Sequence, residues 1–144
     1  MEIAIIGAGS IGKRHKRVLE NLGHRALFVS QHQEKSKDVY ADVETLLLRN
    51  SPEYFIIANE TFRHEETIAT LIQSSFSGLL LVEKPLAADL DLESYSKFKA
   101  CYIGFNLRFN PMVVKLKQLI DTQDLEILSV EFHYGNSTKN WRSS

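Results

Sequence analysis

Gly7, Gly9 and Gly12 follow directly on the apolar run Ile3-Ala4-Ile5-Ile6, and five basic residues, Lys13, Arg14, His15, Lys16 and Arg17, follow them in turn. Glycines at this spacing between a strand and a helix open a turn whose backbone N–H groups can face an anion. Gly7 permits the tight turn. Gly9 lets the backbone approach a diphosphate with no Cβ in the way, and Gly12 lets the helix pack closely on its strand. Ser10 and Ile11 lie inside the same turn. Cations at a helix N-terminus oppose the macrodipole, each by a few tenths of a kcal/mol or up to about 1. Their placement here suits an anion seated at that helix end. Two plainer readings stand beside this one: an ordinary strand-turn-helix, and a solvated basic face with its long side chains directed away from the axis. The apolar strand before the glycines, and Ile11, Val18, Leu19 and Leu22 after them, supply the context of a dinucleotide-binding unit.

Such a turn needs a sheet behind it, and strand and helix patterns alternate along the chain. Gly23 suits a helix stop. Residues 25–30 read as a second strand, 31–42 as polar loop, and 42–49 as a short helix capped by Asp42. Pro52 breaks it. Residues 54–58 form a continuous apolar run, as a buried parallel strand does. A helix over 62–75 would take Thr61 as cap, Glu65 and Glu66 in its first turn, and Ile68, Leu71 and Ile72 inward. Residues 79–83 are the next strand, ended by Lys84-Pro85 because proline cannot donate to the ladder. A helix over 89–99 would turn Leu90, Tyr95 and Phe98 inward; a strand over 101–105 and a helix from Pro111 to about Ile120 follow. The alternation predicts an α/β fold: a Rossmann-type, doubly wound, mostly parallel sheet with ligands at the carboxyl ends of its strands. Residues 125–134 break the rhythm. Leu128, Val130, Phe132 and Tyr134 would share one face of a strand in an open sheet. Residues 1–121 are therefore expected to form the dinucleotide-binding domain, which the family resemblance given below makes NAD(P)-binding. Residues 122–144 would begin a truncated C-terminal sheet domain or supply a dimerisation strand.

With 144 residues, 44% hydrophobic and 24% charged, the chain can bury a core, and a net charge of −1 points to neither nucleic acid nor a membrane surface. The single cysteine, Cys101, forms no internal disulfide and has no metal-ligand spacing around it, so no metal is expected. No signal peptide precedes the first strand and no apolar run approaches the ~20 residues that span a bilayer. A reducing cytoplasm fits.

Four segments carry a family resemblance: GAGSIGKRH (7–15), FIIANETFRHEETI (55–68), LLLVEKPLA (79–87) and YIGFNLRFNPMVVKLKQL (102–119). Together they resemble the N-terminal half of the Gfo/Idh/MocA oxidoreductases, the family of glucose–fructose oxidoreductase and inositol dehydrogenase. Glu83-Lys84-Pro85 is the most specific element, and the stretch around Asn106 and Arg108 looks closest to members from surface-polysaccharide and sialic-acid-like sugar pathways. The resemblance implies hydride transfer between NAD or NADP and a sugar, nucleotide-sugar or polyol carbon. Gly7, Gly9, Ser10, Ile11 and Gly12 would hold the pyrophosphate. Asn59, Glu60, Thr61 and His64 would lie beside the adenosine and nicotinamide ribose, with His64 a structural contact rather than a catalyst. Glu83 and Lys84 would reach the nicotinamide ribose and the reacting hydroxyl, and Asn106 and Arg108 would line the floor near the nicotinamide. Lys84 is the expected catalytic residue, because an alcohol carbon gives up hydride only as its hydroxyl proton departs. The family pattern also implies a cis bond before Pro85.

Two departures bear on this reading. The residues after the second strand are Ser30, Gln31 and His32, with no carboxylate before Glu34 to take a ribose 2′-hydroxyl. Ser30, His32 and Lys35 would suit a 2′-phosphate, so both NAD and NADP stay open. The family's Asp/His pair for proton transfer belongs to a C-terminal domain, and no residue here matches it. The competing expectation is a non-catalytic dinucleotide-binding or assembly module; a methyltransferase is a third, which the Glu83-Lys84-Pro85 element disfavours. The partners expected are a dinucleotide, a small sugar-like substrate, and a second copy of the chain through residues 125–134.

Overall fold

A computed structural model describes residues 1–31, 36–86, 92–123, 126–129 and 131. Its six strands are β1 (Glu2–Ile6), β2 (Arg25–Val29), β3 (Val39–Tyr40), β4 (Tyr54–Ile57), β5 (Leu79–Val82) and β6 (Ala100–Ile103). They form one sheet in the order β3-β2-β1-β4-β5-β6, and every neighbouring pair is parallel. This is the doubly wound order in which the winding reverses between β1 and β4, so that a crevice opens at their carboxyl ends. The apolar runs of β1, β4 and β5 follow from burial on both faces of a parallel sheet. β3 lies within residues 31–42, which the sequence assigns to loop. It is two residues long and sits among polar neighbours, so it leaves no pattern; Phe28 N–H to Asp38 O (2.8 Å) and Ser30 N–H to Tyr40 O (2.9 Å) bind it to β2.

The two faces of the sheet bury separate clusters. On one, Leu27, Phe55, Ile57, Leu80 and Val82 pack against Val43 and Leu46 of α2 (Val43–Leu47), Ile68 and Leu71 of α3 (His64–Gln73), and Phe98. On the other, Ile3, Ile5, Ala26, Phe28 and Ile56 pack with Leu19 of α1 (Ser10–Asn21). The inward stripe of α1 is Gly12, His15, Lys16 and Leu19, spaced i, i+3, i+4, i+7. Ile11, Val18 and Leu22, the other apolar residues of this segment, are 43%, 46% and 66% exposed. The helix's rotation about its axis is set where Gly12 meets Gly7, and that contact turns the other apolar residues outward.

Helix ends follow local chemistry. Asp42 caps α2, its Oδ1 accepting from Thr45 N–H at 2.7 Å. Gly23 ends α1, with His24 N–H returning to Leu19 O at 2.9 Å. Thr61 does not cap α3: Thr61–Arg63 form a 3₁₀ turn, and α3 starts at His64 with no side-chain cap. Helix α4 covers Leu92–Ser96; Leu90 and the start of the expected helix lie outside the described residues.

The chain divides into two compact units, Met1–Phe105 and Asn106–Ser144. In the second, a 3₁₀ turn at Asn106–Phe109 precedes α5 (Pro111–Gln123), which runs past the expected Ile120. Asn110 Oδ1 accepts from Met112 N–H (2.9 Å) at the start of α5. Of the strand expected at 125–134, residues 126–129 and 131 belong to no strand and the remainder lies outside the described residues.

Candidate functional site

At the carboxyl edge of the sheet the ladder continues one residue beyond β1, β4, β5 and β6, as it does beyond β2. Gly7 N–H bonds Val29 O (3.0 Å), Ala58 N–H bonds Ile6 O (2.8 Å), Glu83 N–H bonds Ile57 O (2.9 Å) and Gly104 N–H bonds Val82 O (2.8 Å). The glycine turn, the segment after β4 and the Glu83-Lys84 segment are thereby fixed side by side by backbone bonds.

The glycine turn admits no side chain at two of its three glycines. Gly7 has φ +100°, and a Cβ there would stand 2.6 Å from Asn59 N. A Cβ on Gly12 would stand 1.9 Å from Gly7 O. At Gly9 a Cβ would meet nothing within 4 Å, so a Cβ there would stand in the open space before the helix. Gly9 precedes α1, no side chain caps that helix, and its first turn holds no acidic residue. The orphan N–H groups of the first turn and the positive end of the dipole therefore face the space that Gly9 leaves free. Ser10 and Ile11 are exposed there. Two of the five basic residues have internal partners: His15, described below, and Lys16, which lies 5.2 Å from the Phe28 ring centroid and 3.5 Å from Glu20.

Asn59 stands against Gly7 across the switch between β1 and β4. Thr67 Oγ1 donates to Arg63 O (2.8 Å) and so accepts from Asn59 Nδ2 (2.8 Å). That orientation leaves Asn59 Oδ1 buried with no partner. His64, 2% exposed, donates from Nε2 to Asn59 O (3.2 Å), which leaves Nδ1 as a second buried acceptor without a partner. Buried unpaired acceptors are costly, and a hydroxyl- or amide-bearing ligand would relieve them. Glu60 and Thr61 are exposed beside them. An open anion-facing helix end and two waiting acceptors at the switch point fit a dinucleotide.

Glu83 does not pair with Lys84. Its Oε1 accepts from His15 Nε2 at 2.8 Å, and its carboxylate lies over Gly104, where a Cβ would stand 2.9 Å from Oε2. Lys84 is exposed, has no ion pair among the described residues, and its bond to Pro85 is cis. His15 is the site residue that the sequence reading passes over as one of a basic run. The available signal was its position three residues after Gly12, which puts both on one helix face.

Ser30 and Gln31 follow β2 on the same edge, and His32 lies outside the described residues. Asn106 and Arg108 fall in the second unit, where the Arg108 guanidinium lies 5.5 Å from the Phe109 ring centroid. Burial pushes the Cys101 thiol of β6 up to about 11. Among the described residues no group of His, Cys, Asp and Glu could hold a metal ion, and no helix is long and apolar enough to cross a membrane.

Comparison with known proteins agrees with this geometry. The model of an oxidoreductase family described by its NAD-binding Rossmann fold matches residues 1–102. The inositol 2-dehydrogenase/D-chiro-inositol 3-dehydrogenase of Halalkalibacterium halodurans is 25% identical over 141 residues, covering 84% of this chain and 40% of that protein. A myo-inositol dehydrogenase from Corynebacterium glutamicum superposes with a TM-score of 0.68 at 21% identity, over 86% of this chain and 41% of that one. The WlbA dehydrogenase from Bordetella pertussis, solved in complex with NADH and UDP-GlcNAcA, superposes with a TM-score of 0.67 at 16% identity, over 83% and 41%. These structural likenesses are likenesses of fold, and the chain spans about two fifths of the length of each relative.

Proposed function

This chain belongs to the Gfo/Idh/MocA oxidoreductase family, and from that membership we propose that it supplies the cofactor-binding half of an NAD(P)-dependent oxidoreductase acting on a hydroxyl of a sugar, nucleotide sugar or polyol. The observation that carries the reading is the uncapped, glycine-opened start of α1 facing Asn59 and His64 across the β1–β4 switch. Gly7, Gly9, Ser10, Ile11 and Gly12 seat the pyrophosphate by backbone N–H groups and helix dipole. Asn59 and His64 offer acceptors to hydroxyl or amide donors, with Glu60 and Thr61 alongside. Bound nicotinamide supplies the hydride acceptor or donor. Lys84 holds or takes the hydroxyl proton, and as a cation it stabilises the developing alkoxide.

Support for NAD comes from the family's description and from the WlbA dehydrogenase, which was solved with NADH bound. The absence of a carboxylate at Ser30 and Gln31 keeps NADP as a second carrier. The inositol dehydrogenases and WlbA among the relatives favour a cyclic polyol or nucleotide-sugar substrate. Residues 1–121 make the cofactor domain, and 122–144 belong to a C-terminal sheet domain or supply a dimerisation strand; the protein works in the cytoplasm as a homo-oligomer joined through residues 125–134. Fluorescence titration of the chain with NADH and NADPH tests the core of this. Saturable binding of at least one is expected, and no binding of either at millimolar concentration removes the reading.

A further inference from the structure

We propose that His15 is a positioning residue, acting through Glu83 on the turn that carries Lys84. The proposal rests on the cofactor reading above and goes beyond it, because His15 touches neither of the groups assigned there to diphosphate or proton.

Three observations converge on Glu83. A carboxylate oxygen accepts, so His15 Nε2 carries the proton of the 2.8 Å bond and donates it to Oε1. On the other side, the carboxylate rests on the bare backbone of Gly104: a Cβ there would lie 2.9 Å from Oε2, 3.0 Å from Cδ and 3.2 Å from Oε1. The Glu83 main chain is itself fixed by its N–H to Ile57 O at 2.9 Å. Glu83 is thus the last fixed point before the exposed Lys84, held by the ladder below, by Gly104 on one side and by α1 on the other.

The bond joins residues 68 apart in sequence. It ties the first turns of α1, where the diphosphate would sit, to the neighbour of the proposed proton carrier. The two side chains are 26% and 20% exposed, and pairs with this much access to water contribute little to stability. A structural tie alone would leave Lys84 indifferent to it. A tie that positions the turn makes the shielding of Lys84 by cofactor depend on His15.

The test uses the whole chain, with NADH and the amine reagent trinitrobenzenesulfonate as probes, and reads modification of Lys84 by peptide mass spectrometry. In the wild-type chain NADH slows modification of Lys84. In His15→Ala the protection is expected to fall about tenfold, the scale of losing one hydrogen bond to a charged group, while NADH still binds. His15→Gln, whose amide can still donate to Glu83, restores it, which a purely structural role would not predict. Gly104→Ala, which crowds the same carboxylate, reproduces the loss and decides the matter if His15→Ala does not fold. Wild-type protection in His15→Ala or in Gly104→Ala overturns the proposal. A wild-type chain that fails to bind NADH overturns the cofactor reading instead, and a wild-type chain that binds NADH without shielding Lys84 overturns the role of Lys84 and this proposal with it.

Discussion

Gly9 and Gly12 are glycines for different reasons, and the difference is measurable. A Cβ on Gly12 would collide with Gly7 O, so Gly12→Ala must push α1 off β1. The expected destabilisation is about 1–3 kcal/mol by denaturant melting, the range of an overpacked core. A Cβ on Gly9 meets nothing, so Gly9→Ala should melt like the wild type while binding NADH about tenfold or more weakly, through loss of close backbone contact with the diphosphate. Equal effects of the two substitutions on melting would contradict the geometry. Cys101 offers a pH test. Its thiol titrates near 11 rather than 9.0 because burial disfavours the thiolate. At pH 8 it should react with a disulfide reagent about a hundredfold more slowly in the folded chain than in the denatured one. The unfolded thiol ionises first, so this group's contribution to stability is complete below 9 and is lost as pH rises towards 11.

Among the elements, β1, β4 and β5 were legible because a parallel strand buried on both faces has to be an unbroken apolar run. The cap of α2 was legible because Asp42 acts within three residues. Other elements leave no mark in the sequence, for physical reasons. β3 is two residues long in a polar stretch. The rotation of α1 depends on the Gly7–Gly12 contact, not on its own hydrophobic pattern, so Ile11, Val18 and Leu22 turned outward. The His15–Glu83 bond joins distant segments through the sheet, and no local spacing encodes it. In the site, the glycine turn, the Asn59–His64 segment and Glu83-Lys84 were visible as motifs, but the two unpaired acceptors became visible only once Thr67 had oriented Asn59. Asp42→Ala should destabilise the chain by about 1 kcal/mol. The Thr45 hydrogen bonds hold the Asp42 carboxyl below its ordinary range. Its contribution is therefore present above the ordinary carboxylate pKa and is lost as pH falls through the lowered one. A melting curve of Asp42→Ala that keeps the wild type's acid dependence would leave the cap without this role.

For the whole molecule, the relevant fact is that the chain spans about two fifths of its relatives. On the cofactor reading, the chain should bind a dinucleotide. The alternation at 125–134 predicts self-association, and sedimentation equilibrium should report a concentration-dependent dimer; a clean monomer at high concentration would count against it. The central claim is that the carboxyl edge between β1 and β4 receives a redox dinucleotide. A ¹⁵N–¹H correlation titration of the chain with NADH tests it most directly. The account predicts saturable shifts at the amides of Gly7, Gly9, Ser10, Ile11 and Gly12, together with those of Asn59, His64 and Glu83. Shifts that saturate elsewhere while these amides stay still would contradict it.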